Sequence, residues 1–142
     1  ELQELEKIRQ ELVRDIPQGW DLKYSEGGLL DVELFSQTFL LVNSVYVATP
    51  NTLDFLSVIA NAQDLRRNYI RLRQYEQMLQ LVSTEGGAKL LLNHESFQQL
   101  ATAFQRSSTE LENDVKFLFS ENLQLLKHLD PRRATKILDS GS

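Results

Sequence analysis

Two glycine pairs, a few carboxylates set in apolar stretches and two histidines are the residues here whose types carry chemistry. Gly27 and Gly28 open an apolar run in "KYSEGGLLDVELFSQ", residues 23–37. A helix starting there offers free backbone N–H groups to an anion. A dinucleotide fingerprint needs a third glycine and a preceding strand, and neither is supplied. Gly86 and Gly87 open "GGAKLLL", which falls short of a P-loop: Ala88 separates the glycines from Lys89, and Leu90 stands where Ser or Thr is required. Both pairs read first as turns. Asp31 and Glu33 would share a cation on one face of a strand. On a helix they point about 200° apart and cannot.

Glu33, Gln37 and Ser44 form a narrow polar strip on an otherwise apolar helix. That strip is expected to be an internal hydrogen-bond network or, in a functional role, a contact surface for an adjoining domain. Glu76 falls at the centre of the face made by Leu65, Tyr69, Leu72 and Leu79. A carboxylate there is costly unless paired; Arg73 flanks it, and Lys23 or another arginine could also reach it. Arg66, Arg67, Arg71 and Arg73 cluster on the same helix and read as a solvated face. His94 and His128 lack a second His at ligand spacing. The sequence has no Cys, no nucleophile elbow and no HExxH pair. No catalytic, cofactor-binding or metal residue is assigned, and the chain alone is expected to catalyse nothing.

These residues need elements to hold them. Leu2, Leu5, Ile8, Leu12, Val13 and Ile16 recur at helical spacing over 1–16, and Pro17 and Gly19 stop that helix. A loop runs from Trp20 to Gly28. Residues 29–47 form a second helix, apolar nearly all round and so placed mid-bundle. Thr49 caps a third, with Pro50 in its first turn. The fourth spans 64–82 and "STEGGAK" breaks it. Asn93 caps a fifth carrying Phe97, Leu100, Ala101 and Phe104. Ser107 or Ser108 caps a long sixth with Leu111, Val115, Leu118, Leu125 and Leu129 in a seam, ended by Pro131. No convincing strand appears. The fold class is therefore all-α, a bundle of about five to six mostly antiparallel helices. One domain is expected over 1–130, followed by a basic, frayed tail over 131–142.

The 142 residues suffice for one core, with 42% hydrophobic and 25% charged residues. A net charge of −5 disfavours a nucleic-acid partner. No run approaches the length of a membrane span, and the acidic, amphipathic start is unlike a signal peptide. A cytoplasmic location is expected. The absence of Met at position 1 suggests a piece of something longer.

Lys23, Gly27, Gly28, Leu29, Asp31, Val32, Glu33 and Gln37 resemble the K-x-G-x-G-G-[IL]-x-[DE]-[IV]-E-F-x-x-Q signature of glutamine synthetase adenylyltransferases. In that family the signature opens the helical domain that follows the nucleotidyltransferase domain. "NTLDFLSVIA" looks like the family's N-T-L-x-x-L segment. "LRRNYIRLRQYEQMLQ" is similar to a further family helix at Leu65, Tyr69, Leu72, Arg73, Glu76, Leu79 and Gln80. The likeness covers residues 20–82; Ser25, Leu34 and Asn68 replace a usual glycine, phenylalanine and alanine.

The resemblance implies a parent that moves AMP to or from glutamine synthetase in nitrogen regulation, using ATP and Mg. It implies catalytic carboxylates on an upstream G-S…D-x-D motif that this chain lacks. The chain would then be a non-catalytic accessory domain. Its expected partners are the adjoining nucleotidyltransferase domain, glutamine synthetase and a PII-type signalling protein. Lys23, Gly27, Gly28, Asp31, Glu33, Gln37, Arg73 and Glu76 would form an interdomain or structural polar layer. The alternatives are a stand-alone helical interaction module and the helical domain of a related nucleotidyltransferase such as PII uridylyltransferase.

Overall fold

The structure, a computed structural model, describes residues 2–47, 51–83 and 87–129. Six helices and one two-stranded sheet are found among them, in the order α1 (Leu2–Leu12), β1 (Gly19–Asp21), α2 (Leu29–Val42), α3 (Thr52–Ser57), α4 (Gln63–Val82), β2 (Lys89–Leu91), α5 (Glu95–Ala103) and α6 (Ser108–His128). The class is all-α, as the periodicity predicts.

Helices α2 and α4 form the middle of the bundle. α2 packs on α1, α3, α4 and α6, and α4 packs on α2, α3, α5 and α6. Because α2 is apolar nearly all round, it can be covered from several sides, and eight of its residues are buried. Val32 and Phe39 of α2 meet Leu65, Leu72 and Leu79 of α4 in one core with Leu111, Val115 and Leu118 of α6. Each such side chain contributes roughly 1.5–3 kcal/mol when fully buried. The Tyr75 and Phe104 rings close the α4–α5 side edge to face, with centroids 4.9 Å apart.

Several helix ends differ from the sequence reading. α1 stops at Leu12, four residues short of the expected Ile16, where a tertiary backbone bond replaces the helix ladder. The Arg14 N–H then leaves the helix ladder for the Tyr24 carbonyl. α2 stops at Val42, five residues short of the expected end, where Ser44 takes a left-handed φ of 52°. The cap of α3 is Asn51, whose side chain accepts from Leu53 N–H; Thr49 and Pro50 lie outside the described residues. α5 is capped by His94, one residue beyond the expected Asn93. Ser107 caps α6 as expected, in a reciprocal capping box with Glu110. The expected Pro131 stop and the 131–142 tail lie outside the described residues.

The strands were not expected. β1 and β2 pair antiparallel, with Trp20 opposite Leu90. Three residues per strand are too few to show an alternating pattern. The clasp anchors the loop that leads into α2, and Leu22 and Leu90 beside it are fully buried.

Candidate functional site

The loop from Leu22 to Gly28 is built like a fixed part. Asp21 Oδ1 accepts from the N–H groups of Lys23 and Tyr24, each at 3.0 Å. Ser25, buried, accepts from the Asp21 N–H at 2.8 Å. Gly27 has φ +81°, and a Cβ there would meet the Phe119 carbonyl oxygen at 2.6 Å. A Cβ on Gly28 would lie 2.8 Å from the carbonyl oxygens of Leu22 and Ser25. The glycines are thus required by close backbone approach and, at Gly27, by a left-handed turn.

This geometry answers the phosphate-cradle question. The N–H groups of Leu29 and Leu30 in the first turn of α2 donate to the carbonyls of Leu22 and Lys23. The Gly27 N–H donates to Asp31 Oδ2 at 2.9 Å. The protein itself fills these donors, so they do not serve an anion.

The eight residues expected to make one polar layer divide into two groups and an outlier. Gly27 meets α6 and Asp31 meets α1, while Gly28 beside them packs on the loop carbonyls of Leu22 and Ser25. The Asp31 carboxylate is buried and held by Arg9 of α1 through bonds of 2.6 and 3.3 Å. That contact, with the carboxylate next to it and despite partial burial of the guanidinium, raises the Arg9 pKa above its ordinary value. Lys23, Glu33, Arg73 and Glu76 gather on the other side of α2, in keeping with the wide angle between Asp31 and Glu33. Gln37 is exposed and joins neither group. Ser44 lies beyond the helix end, so the expected strip of Glu33, Gln37 and Ser44 is not an internal network.

In the second group, Glu76 is 6% exposed and bonded to Arg73 at 2.5 Å, the pairing its position demands. Glu33 is half-buried; desolvation raises its pKa, while Lys23 and Arg73 oppose the rise and Glu76 adds to it. Glu33 and Arg73 line a concavity with Tyr69, Thr52 and Asn51. Burial first, and the Glu33 charge next, push the Tyr69 hydroxyl upward. Lys23 and Glu76 line a second concavity of about 610 Å³ that reaches Lys89 and His94. The Arg73–Glu76 pair thus separates two polar hollows on one face.

The other arginines of α4 are engaged. Arg67 pairs with Asp64 at 3.0 Å, Arg71 with Asp114 at 3.3 Å, and Arg66 donates to the Leu53 carbonyl. Asp114 also accepts from Tyr75 and lies 3.5 Å from Arg106. Sequence reasoning missed a buried amide chain. Asn68 Nδ2 donates to Asn122 Oδ1 at 3.0 Å, and Asn122 Nδ2 donates to the Gly27 carbonyl at 2.9 Å. The signal was present: Asn122 falls four residues after Leu118 on the apolar seam of α6, and Asn68 three after Leu65 on α4. Among the described residues no three His, Asp or Glu side chains gather as metal ligands. No described helix is long and apolar enough to cross a membrane.

Searches of curated proteins and of solved structures each returned no significant match. A family profile does match, over residues 2–129, and so covers every described element. It is the profile of a nucleotidyltransferase family related to the one that the signature of the α2 entry resembles. The chain belongs to the GlnD PII-uridylyltransferase family.

Proposed function

We propose that this chain is a helical accessory domain of a nucleotidyltransferase, non-catalytic alone, and that it lies against a catalytic domain through the Lys23–Glu33–Arg73–Glu76 face. The family match over 2–129 carries this reading. The face supports it: a buried, paired carboxylate between two polar hollows is expensive in a core and useful at a polar interdomain surface. The nucleoside triphosphate and Mg would be held by the adjoining domain.

The family's name favours uridylyl transfer to a PII-type signalling protein over the adenylyl transfer to glutamine synthetase that the sequence signature implies. The two chemistries differ in nucleotide and acceptor, so one assay separates them. The whole reading frame containing this chain is expressed, and label transfer from UTP and from ATP is followed onto a PII-type protein and onto glutamine synthetase. The expected result is transfer from UTP to the PII-type protein, reduced when Lys23 and Arg73 are both changed to Ala. Transfer from ATP to glutamine synthetase would restore the adenylyl reading. Transfer from neither would leave a stand-alone interaction bundle. Glu76→Leu tests the face itself: higher stability with unchanged transfer would show that it has no interdomain role. A cytoplasmic setting is part of this proposal.

A further inference from the structure

The roughly 610 Å³ hollow beside Glu76 has a charge pattern of which the accessory-domain reading uses only Lys23 and Glu76. Arg14, Lys23 and Lys89 line it from three separate segments: the turn after α1, the loop after β1, and β2. Each side chain is exposed at the wall. Among the described residues none of the three is ion-paired with a carboxylate. The carboxylates of the same wall are engaged. Asp21 accepts from two backbone N–H groups, and Glu76 is neutralised by Arg73. Counted over the described residues, the wall is therefore locally cationic, in a chain whose net charge is −5.

The positions are fixed by backbone, not by chance side-chain reach. Arg14 N–H donates to the Tyr24 carbonyl, Leu22 N–H donates to the Ala88 carbonyl, and Asp21 pairs with Lys89 across the clasp. The three segments that carry these cations are thus held around one hollow before any ligand arrives, which lowers the cost of binding. Its size lies within the usual range for small-molecule sites, roughly 300–1,000 Å³. Two ammonium groups and one guanidinium fork on a polar wall suit a small anion carrying several charges.

We propose that this hollow binds an oligophosphate anion, either inorganic or the phosphate tail of a nucleotide, between Arg14, Lys23 and Lys89. The inference goes beyond the accessory-domain reading and does not depend on it, because the test uses this chain alone. Inorganic tripolyphosphate, UTP and citrate are titrated calorimetrically into the 142-residue chain at low salt. Both phosphate compounds bind, citrate binds at least about tenfold more weakly, and affinity falls as salt rises. Tighter binding of UTP than of tripolyphosphate assigns a nucleotide; equal binding assigns an inorganic oligophosphate. Arg14→Glu with Lys89→Glu weakens binding by at least about tenfold, while Arg67→Glu, on a different face, leaves it unchanged. Amide shift mapping on the unaltered chain guards against misfolded variants: tripolyphosphate moves Tyr24, Lys89 and neighbouring signals. Absence of binding, equal binding of citrate, equal loss with Arg67→Glu, or shifts centred elsewhere would each overturn the proposal.

Discussion

Replacing Asn122 by Ala removes the central link of the buried amide chain. Asn122 is fully buried, and its side chain joins α6 both to Asn68 of α4 and to the carbonyl of Gly27. The substitution leaves the Gly27 carbonyl without its amide donor, which costs roughly 1–3 kcal/mol for a buried polar group. It also removes the acceptor for Asn68, which keeps its 3.0 Å bond to Glu121, so this second loss is about 1 kcal/mol. The total of about 3 kcal/mol is a large part of the stability of a domain this size, ~5–15 kcal/mol. It corresponds to a fall in Tm of about 10 °C. Urea unfolding followed by circular dichroism measures the change. A cycle with Asn68→Ala should give a coupling of about 1 kcal/mol between the two sites. A loss below about 0.5 kcal/mol, or strict additivity of the two substitutions, would refute the claim that the chain acts as a unit.

Gly27→Ala forces a side chain into a left-handed turn and onto the Phe119 carbonyl, so a loss of at least about 2 kcal/mol is expected in the same unfolding assay. Arg9→Ala leaves the buried Asp31 carboxylate with only the Gly27 N–H among the described residues; because the Arg9 side chain is 43% exposed and partly screened, the expected loss is only about 1–2 kcal/mol. Adding Asp31→Asn to that variant should recover part of it. Glu33 has a folded-state pKa above its ordinary value, so the folded protein holds this proton more tightly than the unfolded chain. Its contribution therefore falls as pH rises from the ordinary 4.5 through the raised value. Glu33→Gln should flatten that part of the stability–pH curve and make the protein more stable than the parent at pH 7, as read from urea midpoints.

The helical architecture was legible because apolar residues recur at helical spacing along most of the chain, and an all-round apolar α2 can only sit centrally. The pairing of Glu76 was legible for the same reason: a carboxylate at the middle of an apolar face has few solutions, and Arg73 is one turn away. Helix ends were less so. Nothing local to Ser44 announces a left-handed residue, and α1 ends at Leu12 through a backbone bond from Arg14 to the distant Tyr24. Gln37 was misplaced because the wheel for 29–47 assumed a partner on every side, and the face that carries Gln37 is exposed. The clasp was hidden by its brevity, and the Asn68–Asn122 link by its distance: each amide reads as a lone polar residue until α4 and α6 are brought together.

The β1–β2 clasp has a consequence for the order in which the chain folds. Trp20 and Leu90 lie on either side of α2, α3 and α4, so the clasp closes a long loop whose contents are themselves mostly helical. Closing such a loop early is entropically costly, whereas helices within it form from local contacts. The clasp should therefore lock after α2 and α4 have met, contributing little to the transition state and more to keeping the native state closed. Weakening it, for instance with Leu90→Ala, should speed unfolding while leaving the folding rate nearly unchanged. The clasp would then set how long the native state survives, while the helices inside the loop set how quickly it forms.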